Sequence, residues 1–262
     1  MKSSTSKIHP TAIIESGAKF GNDVHIGPYS IVYSSARIGD RTLIGAHCEI
    51  GLPAGGFGQH NVEPPVLEVG EDSIIRSGTV IYAGSSFGPR LECGHKVTVR
   101  ENTVAGVNLR LGTLTDIQGD CTFGNYSRLH GNVQIGKLSK IGNFCWVFPY
   151  VVFTNDPHPP SEHCLGVVMD DYAVVGAQTI VMPGVTLGRE CVIGGGSLVS
   201  QDIPPGMLAM GHPAKPRAKA SMLRDRADPA KRAYPWMSNF NRGMPWKDVG
   251  FENWLHLNQK IS

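Results

Sequence analysis

The chain has 262 residues, enough to bury a large core, with a formal net charge of +2 and a charged fraction of 18%. That balance excludes the basic excess by which nucleic-acid binders are recognised. The opening MKSSTSKIHP has no apolar leader core and no later stretch is apolar for long enough to cross a bilayer, so the expectation is a cytoplasmic protein away from membranes.

From the start, an aliphatic or aromatic residue recurs every six positions: Ile8, Ile14, Phe20, Ile26, Val32, Ile38, Ile44 and Ile50. Small partners follow each by four, at Ala12, Ala18, Val24, Ser30, Ala36, Thr42, Cys48 and Ala54. A period of six fits neither a helix nor a lone alternating strand. It is what a parallel β-helix needs when each of three faces supplies one short strand and one tight corner. Three faces make a coil of eighteen residues, so positions eighteen apart stack about 4.8 Å from each other. The sequence can then be read as columns.

The phase fails across LPAGGFGQHNVEPP, a glycine- and proline-rich stretch that reads as an external loop. It resumes at Val69, Ile75 and Ile81 and breaks again over SSFGPRLECGHK. The longest run spans Val99 to Phe153, with a frequent glycine one position after the large residue (Gly106, Gly112, Gly124, Gly136, Gly142), read as tolerance for the corner's backbone. A third interruption, TNDPHPPSEHCLGVV, precedes the closing run from Met169 to Val199. These stretches hold eight, three, ten and six repeats, which predicts nine coils and a prism about 40 Å tall. Long loops leaving a solenoid tend to carry binding groups, the alternative being a tolerated surface insertion.

Cys48, Cys121, Cys145 and Cys191 occupy the small inward slot and read as buried free thiols, whereas Cys93 and Cys164 fall in predicted loops. There is no CxxC pair, and His158 and His163 lack a third histidine at a supporting offset, so no metal is expected. The solenoid is placed at residues 7–204 and a tail at 205–262. Within the tail, 217–233 reads as helical, and the segment after it holds Trp236, Trp246 and Trp254. Aromatics of that size need something to cover: the prism, a neighbouring chain, or the base of a ligand.

IHPTAIIESGAKFGNDVHIGPYSIV resembles the opening of the bacterial hexapeptide-repeat acyltransferases, and VVGAQTIVMPGVTLGRECVIGGGSLVSQDIPPGMLAMGHPAKP is similar to their closing coils. The resemblance covers residues 7–217. It implies an all-β solenoid of the left-handed parallel β-helix type, a homotrimer, and acyl transfer from coenzyme A or acyl carrier protein. PYVVFTNDPHPPSE, RLHGNVQIG and YPWMSNFNRGMPW are further similar to the nucleotide-linked 3-amino-sugar N-acetyltransferases. That implies acetyl-CoA as donor and, as acceptor, the amine of a dTDP- or UDP-linked amino sugar destined for a cell-surface glycan such as O-antigen lipopolysaccharide.

In the fatty-acyl relatives a catalytic histidine stands in an HDC motif. Here TDIQGDCTFGN puts Gly119 in its place and keeps Asp120 and Cys121, so that position supplies no general base. The column through Gly119 contains Glu101, Lys137 and Asn155. The resemblance makes the backbone N–H of Lys137 an oxyanion donor, and sets Asn155 and Asp156 against the sugar or its amine; turn formation before proline is the plain alternative for both. His130 replaces a corner glycine and is a candidate for proton transfer or for a contact across a subunit seam. Glu101, Gly119, His158 and Trp236 complete the substrate-side candidates, His158-Pro159 being similar to a pair in sugar O-acetyltransferases. Coenzyme A is expected along the backbone of Gly176, Ala177, Gly194 and Gly195, with Lys215 and Arg217 near its phosphates. The alternatives are an acyl-carrier-protein-dependent O-acyltransferase of the lipid A type, disfavoured by Gly119, and a non-catalytic β-helical scaffold.

Overall fold

A computed structural model describes residues 6–55 and 64–259. The chain is a left-handed parallel β-solenoid whose three faces are sheets of 12, 10 and 9 strands, most of them two residues long. The eighteen-residue step holds through the centre: Val99 pairs with Ile117, Ile117 with Ile135, and Ile135 with Phe153. Two insertions lengthen it. Ile44 pairs with Ile75 and Ile141 with Met169, which brackets the first and third predicted loops. Residues 56–63 of the first loop lie outside the described residues. No helix among the described residues is long and apolar enough to cross a membrane.

The second predicted break does not exist. SSFGPRLECGHK carries the strands Ser86–Phe87 and Glu92–Cys93 in phase, with Phe87 and Cys93 inward and buried. Cys93 is therefore a core residue in a slot that elsewhere holds Ile75 and Leu111, not a loop thiol. A cysteine in the large slot, surrounded by charges, glycine and proline, disguises the repeat. With these strands, and with Met207–Gly211 pairing in parallel with Val192 and Ile193, the first face reaches eleven levels against the nine predicted. The other four repeat cysteines are buried as expected, and Cys164 is exposed.

The corner glycines have a different reason from backbone conformation. The left-handed φ falls three positions after the inward residue, on non-glycine residues such as Leu114, Asn132 and Tyr150. Gly112, one position after Leu111, has an ordinary φ, but a Cβ there would stand 2.4 Å from the Gly131 nitrogen of the next coil. The glycine permits close stacking of coils.

The stretch 217–233 is not α-helical. Ala214–Lys219 is a strand antiparallel to Met207–Gly211, followed by a 3-10 turn at Ala220–Met222. The last solenoid strand would otherwise leave an open edge, and pairing it overrides weak helical propensity. The one α-helix among the described residues is Phe251–Gln259. The aromatic tail folds onto the first face, where Trp236, Met237, Met244 and Trp246 bury the outward side chains Phe144, Tyr172, Val174, Val192 and Leu208. Of the three covers foreseen for these aromatics, the prism is the one the chain itself supplies.

Candidate active site

The corner between the second and third faces carries the column foreseen: the register of Val99, Ile117, Ile135 and Phe153 sets Glu101, Gly119, Lys137 and Asn155 one above another. Two positions after an inward residue the backbone N–H takes no part in the ladder. At some of these positions a side chain from the next coil satisfies it: Val107 N–H donates to Asn125 Oδ1 at 2.8 Å, Asn125 N–H to Asn143 Oδ1 at 2.8 Å and His95 N–H to Thr113 Oγ1 at 3.2 Å. At this corner the N–H groups of Gly119 and Lys137 have no hydrogen-bond partner among the described residues. A backbone donor left open on a groove is available to a ligand oxygen.

The groove beside this column has a volume of about 530 Å³, and Arg100, Glu101, Gln118, Lys137, Asn155 and Asp156 border it. It therefore brings together four of the residues singled out in the sequence. Arg100 and Gln118 are additions. They form the neighbouring eighteen-residue column, with Gly136 and Thr154, and that spacing was the signal that could have found them.

Its charges are internally matched. Lys137 Nζ lies 3.0 Å from Asp120 Oδ2, while Asn102 donates to Asp120 Oδ1 at 2.9 Å. The Asn102 and Lys137 contacts hold the Asp120 carboxyl below the usual carboxylate range, and the hydrogen bond to Asp120 raises Lys137 in turn. Arg100 forks onto Glu101 at 2.9 and 3.0 Å. Asp156 accepts the backbone N–H groups of His158 and Ser161, both at 3.0 Å, and the Ser161 hydroxyl at 2.6 Å. These bonds, the Ser161 hydroxyl first, lower the Asp156 pKa. The turn reading of Asp156 is thus realised in its side chain, while the same residue edges the groove.

Apart from Gly119, which stands in this column, and His158, whose N–H meets Asp156, the other candidates lie elsewhere on the chain. His130 is at the corner between the first and second faces, stacked on Phe148 with ring centroids 4.7 Å apart. Burial, and then Arg128, lower its pKa. It does not border the groove of Asn155 and Asp156 in the same chain. Gly176, Ala177, Gly194 and Gly195 cluster at His130's corner in higher coils; a Cβ on Gly176 would meet the Gly195 nitrogen at 2.5 Å. The N–H groups of Ala177 and Gly195 have no partner among the described residues, the same open donors as at Lys137. Lys215 and Arg217 are exposed on the terminal hairpin. Gly119 has φ +92°, and a Cβ there would stand 2.9 Å from Glu101 O. His158 is exposed. Trp236 is 9% exposed inside the tail cluster, its indole N–H donating to Tyr172 O at 3.2 Å. Among the described residues no three His, Cys, Asp or Glu side chains are grouped to hold a metal ion.

Two family models match the chain: the bacterial transferase hexapeptide (six repeats) over residues 17–52, and the hexapeptide repeat of succinyl-transferase over residues 170–201. Among solved structures, the chain is similar to a UDP-N-acetylglucosamine acyltransferase from Arabidopsis, at 18% identity and a TM-score of 0.53, covering 97% of this chain and 89% of that one. It is similar at lower scores to AntD, an N-acyltransferase from Bacillus cereus solved with dTDP and coenzyme A, at 16% identity, TM-score 0.38, 61% of this chain and 85% of that one. The Arabidopsis likeness is one of fold.

Proposed function

We infer that this chain, which belongs with the hexapeptide-repeat transferases, is an acyltransferase that moves acetyl from acetyl-CoA to the amine of a nucleoside-diphosphate-linked amino sugar. The observation that carries the reading is the open backbone N–H of Lys137 on a groove that also holds Asn155 and Asp156, with no side chain at Gly119 one coil below Lys137 in the same column.

In this proposal the neutral amine, oriented by Asn155 and Asp156, attacks the thioester carbonyl. The Lys137 N–H then donates to the tetrahedral oxyanion, a contribution of about 10²–10³ in rate for one such donor. The C–N bond forms, the C–S bond breaks, and the proton on nitrogen passes to the departing thiolate, giving the amide and free coenzyme A. Asp156 is a poor acceptor for that proton, because its three hydrogen bonds favour the ionised form. His130 of the same chain stands at another corner. Open donors at Ala177 and Gly195 suit the amides of a pantetheine arm. A homotrimer is part of the proposal, with the groove facing a second copy.

One observation favours the lipid A-type alternative: the Arabidopsis structure that shares the fold along 97% of this chain is a UDP-N-acetylglucosamine acyltransferase. Gly119 weighs against it. Steady-state assays with acetyl-CoA and with acyl carrier protein loaded with hydroxyacyl chains separate the two. The proposal expects turnover with acetyl-CoA and an amino sugar, and turnover only with the carrier protein and a hydroxyl acceptor would replace it.

A further inference from the structure

At the corner between the first and second faces lies a second groove, of about 440 Å³, walled by Arg76, Arg110, Arg128 and Arg242, with Glu92 the one carboxylate among its lining residues. The register puts Glu92, Arg110, Arg128 and Trp146 in one outward column, so Arg110 and Arg128 are directly opposed on adjacent strands. Like charges so placed destabilise a sheet. Glu92 reaches only Arg110, at 3.2 Å. Arg128 is 8% exposed and meets no carboxylate; its Nη2 donates to the carbonyls of Arg242 and Gly243 at 3.2 and 3.0 Å.

Five side-chain nitrogen or oxygen atoms among the described residues are buried without a hydrogen-bond partner, and three of them belong to this column: Arg110 Nε, Arg128 Nε and Trp146 Nε1. All three are donors. The tail also draws the two guanidinium groups together. A Cβ on Gly243, whose φ is +67°, would stand 2.9 Å from Arg128 Nη2 and 3.2 Å from Arg110 Nη2. Burial, with Arg110 next, pulls the Arg128 pKa down to about 10, as expected of a buried cation lacking a counter-ion. The fold therefore holds converging cations with unused donors, an arrangement that is costly until an anion arrives.

We propose that this groove binds a phosphoryl anion, specifically a diphosphate, between the guanidinium groups of Arg110 and Arg128, with Arg76 and Arg242 at its rim. Glu92 neutralises one of the four arginines. A carboxylate ligand would leave most of the remaining charge unmatched, whereas a diphosphate carries at least two charges and enough oxygens for several forks. The inference does not rest on the acyl-transfer reading, because the groove is at a different corner from Asn155 and Asp156 and binding is its only claim. A nucleoside diphosphate and coenzyme A both carry this group.

Isothermal titration of the full chain with inorganic pyrophosphate tests it, alongside Arg110→Gln and the surface variant Arg242→Gln, each checked for an unchanged melting temperature. The expected result is sub-millimolar binding that weakens at least tenfold in each variant and weakens with added salt. Competition by UDP assigns the site to the nucleotide, and competition by coenzyme A assigns it to the acyl donor. No pyrophosphate binding at 10 mM, binding that ignores both variants, or competition by neither compound overturns the proposal.

Discussion

Asp156 engages both carboxylate oxygens in the turn that opens the third loop, so its charge and the shape of that loop are linked. Its folded pKa is depressed, which means the ionised form stabilises the turn. That stabilisation is complete above the unfolded carboxylate pKa of about 4 and is lost as pH falls through the lower folded value. Protection at His158 and Ser161, taken as the ratio of intrinsic to observed amide exchange at each pH, should therefore fall on acidification, and Asp156→Asn should show low protection already at neutral pH. Gly119 makes a second prediction. Its φ of +92° and the 2.9 Å approach to Glu101 O leave no place for a Cβ, so Gly119→His should lower the melting temperature rather than install a general base. Lys137 makes a third: if its backbone N–H is the donor, Lys137→Ala should keep kcat within about tenfold of wild type, while Asn155→Ala loses more. Steady-state kinetics of the two variants decides it.

At the scale of elements, the tail is held by interlocked aromatics. Trp246 is fully buried, donates to Phe240 O at 2.9 Å, and lies within 6 Å of Phe144, Trp236, Phe251 and Trp254. Trp246→Ala should cost about 3–5 kcal/mol, read by chemical denaturation. Much of this architecture was legible in the sequence because a six-residue repeat records burial directly. The inward column and the stack of Glu101, Gly119, Lys137 and Asn155 follow from counting. What hid was whatever broke the count. Cys93 in a large slot concealed two strands, and Ala214–Lys219 became a strand because the solenoid's last edge needed a partner, which no local propensity records. The arginine groove was equally out of reach: Arg110 and Arg128 fall in phase as ordinary outward residues, and it is the tail at Gly243 that packs against both guanidinium groups.

For the whole molecule, the coils form one continuous ladder in which each corner is a line of stacked positions, and chemistry is distributed by corner. Open amide donors lie at Lys137 on one and at Ala177 and Gly195 on another, and cations converge below the latter. The proposed homotrimer brings different corners of neighbouring copies together. Light scattering should accordingly return about three times the chain mass of 28.2 kDa. The measurement that bears most directly on the account is incubation with acetyl-CoA and a panel of UDP- and dTDP-linked amino sugars, following thiol release and N-acetylation together. The account predicts one thiol per amide formed with at least one amino sugar, a rate that collapses in Asn155→Ala, and none with the matching hydroxyl sugars. Thiol release with hydroxyl sugars alone, or N-acetylation undiminished in Asn155→Ala, would contradict it.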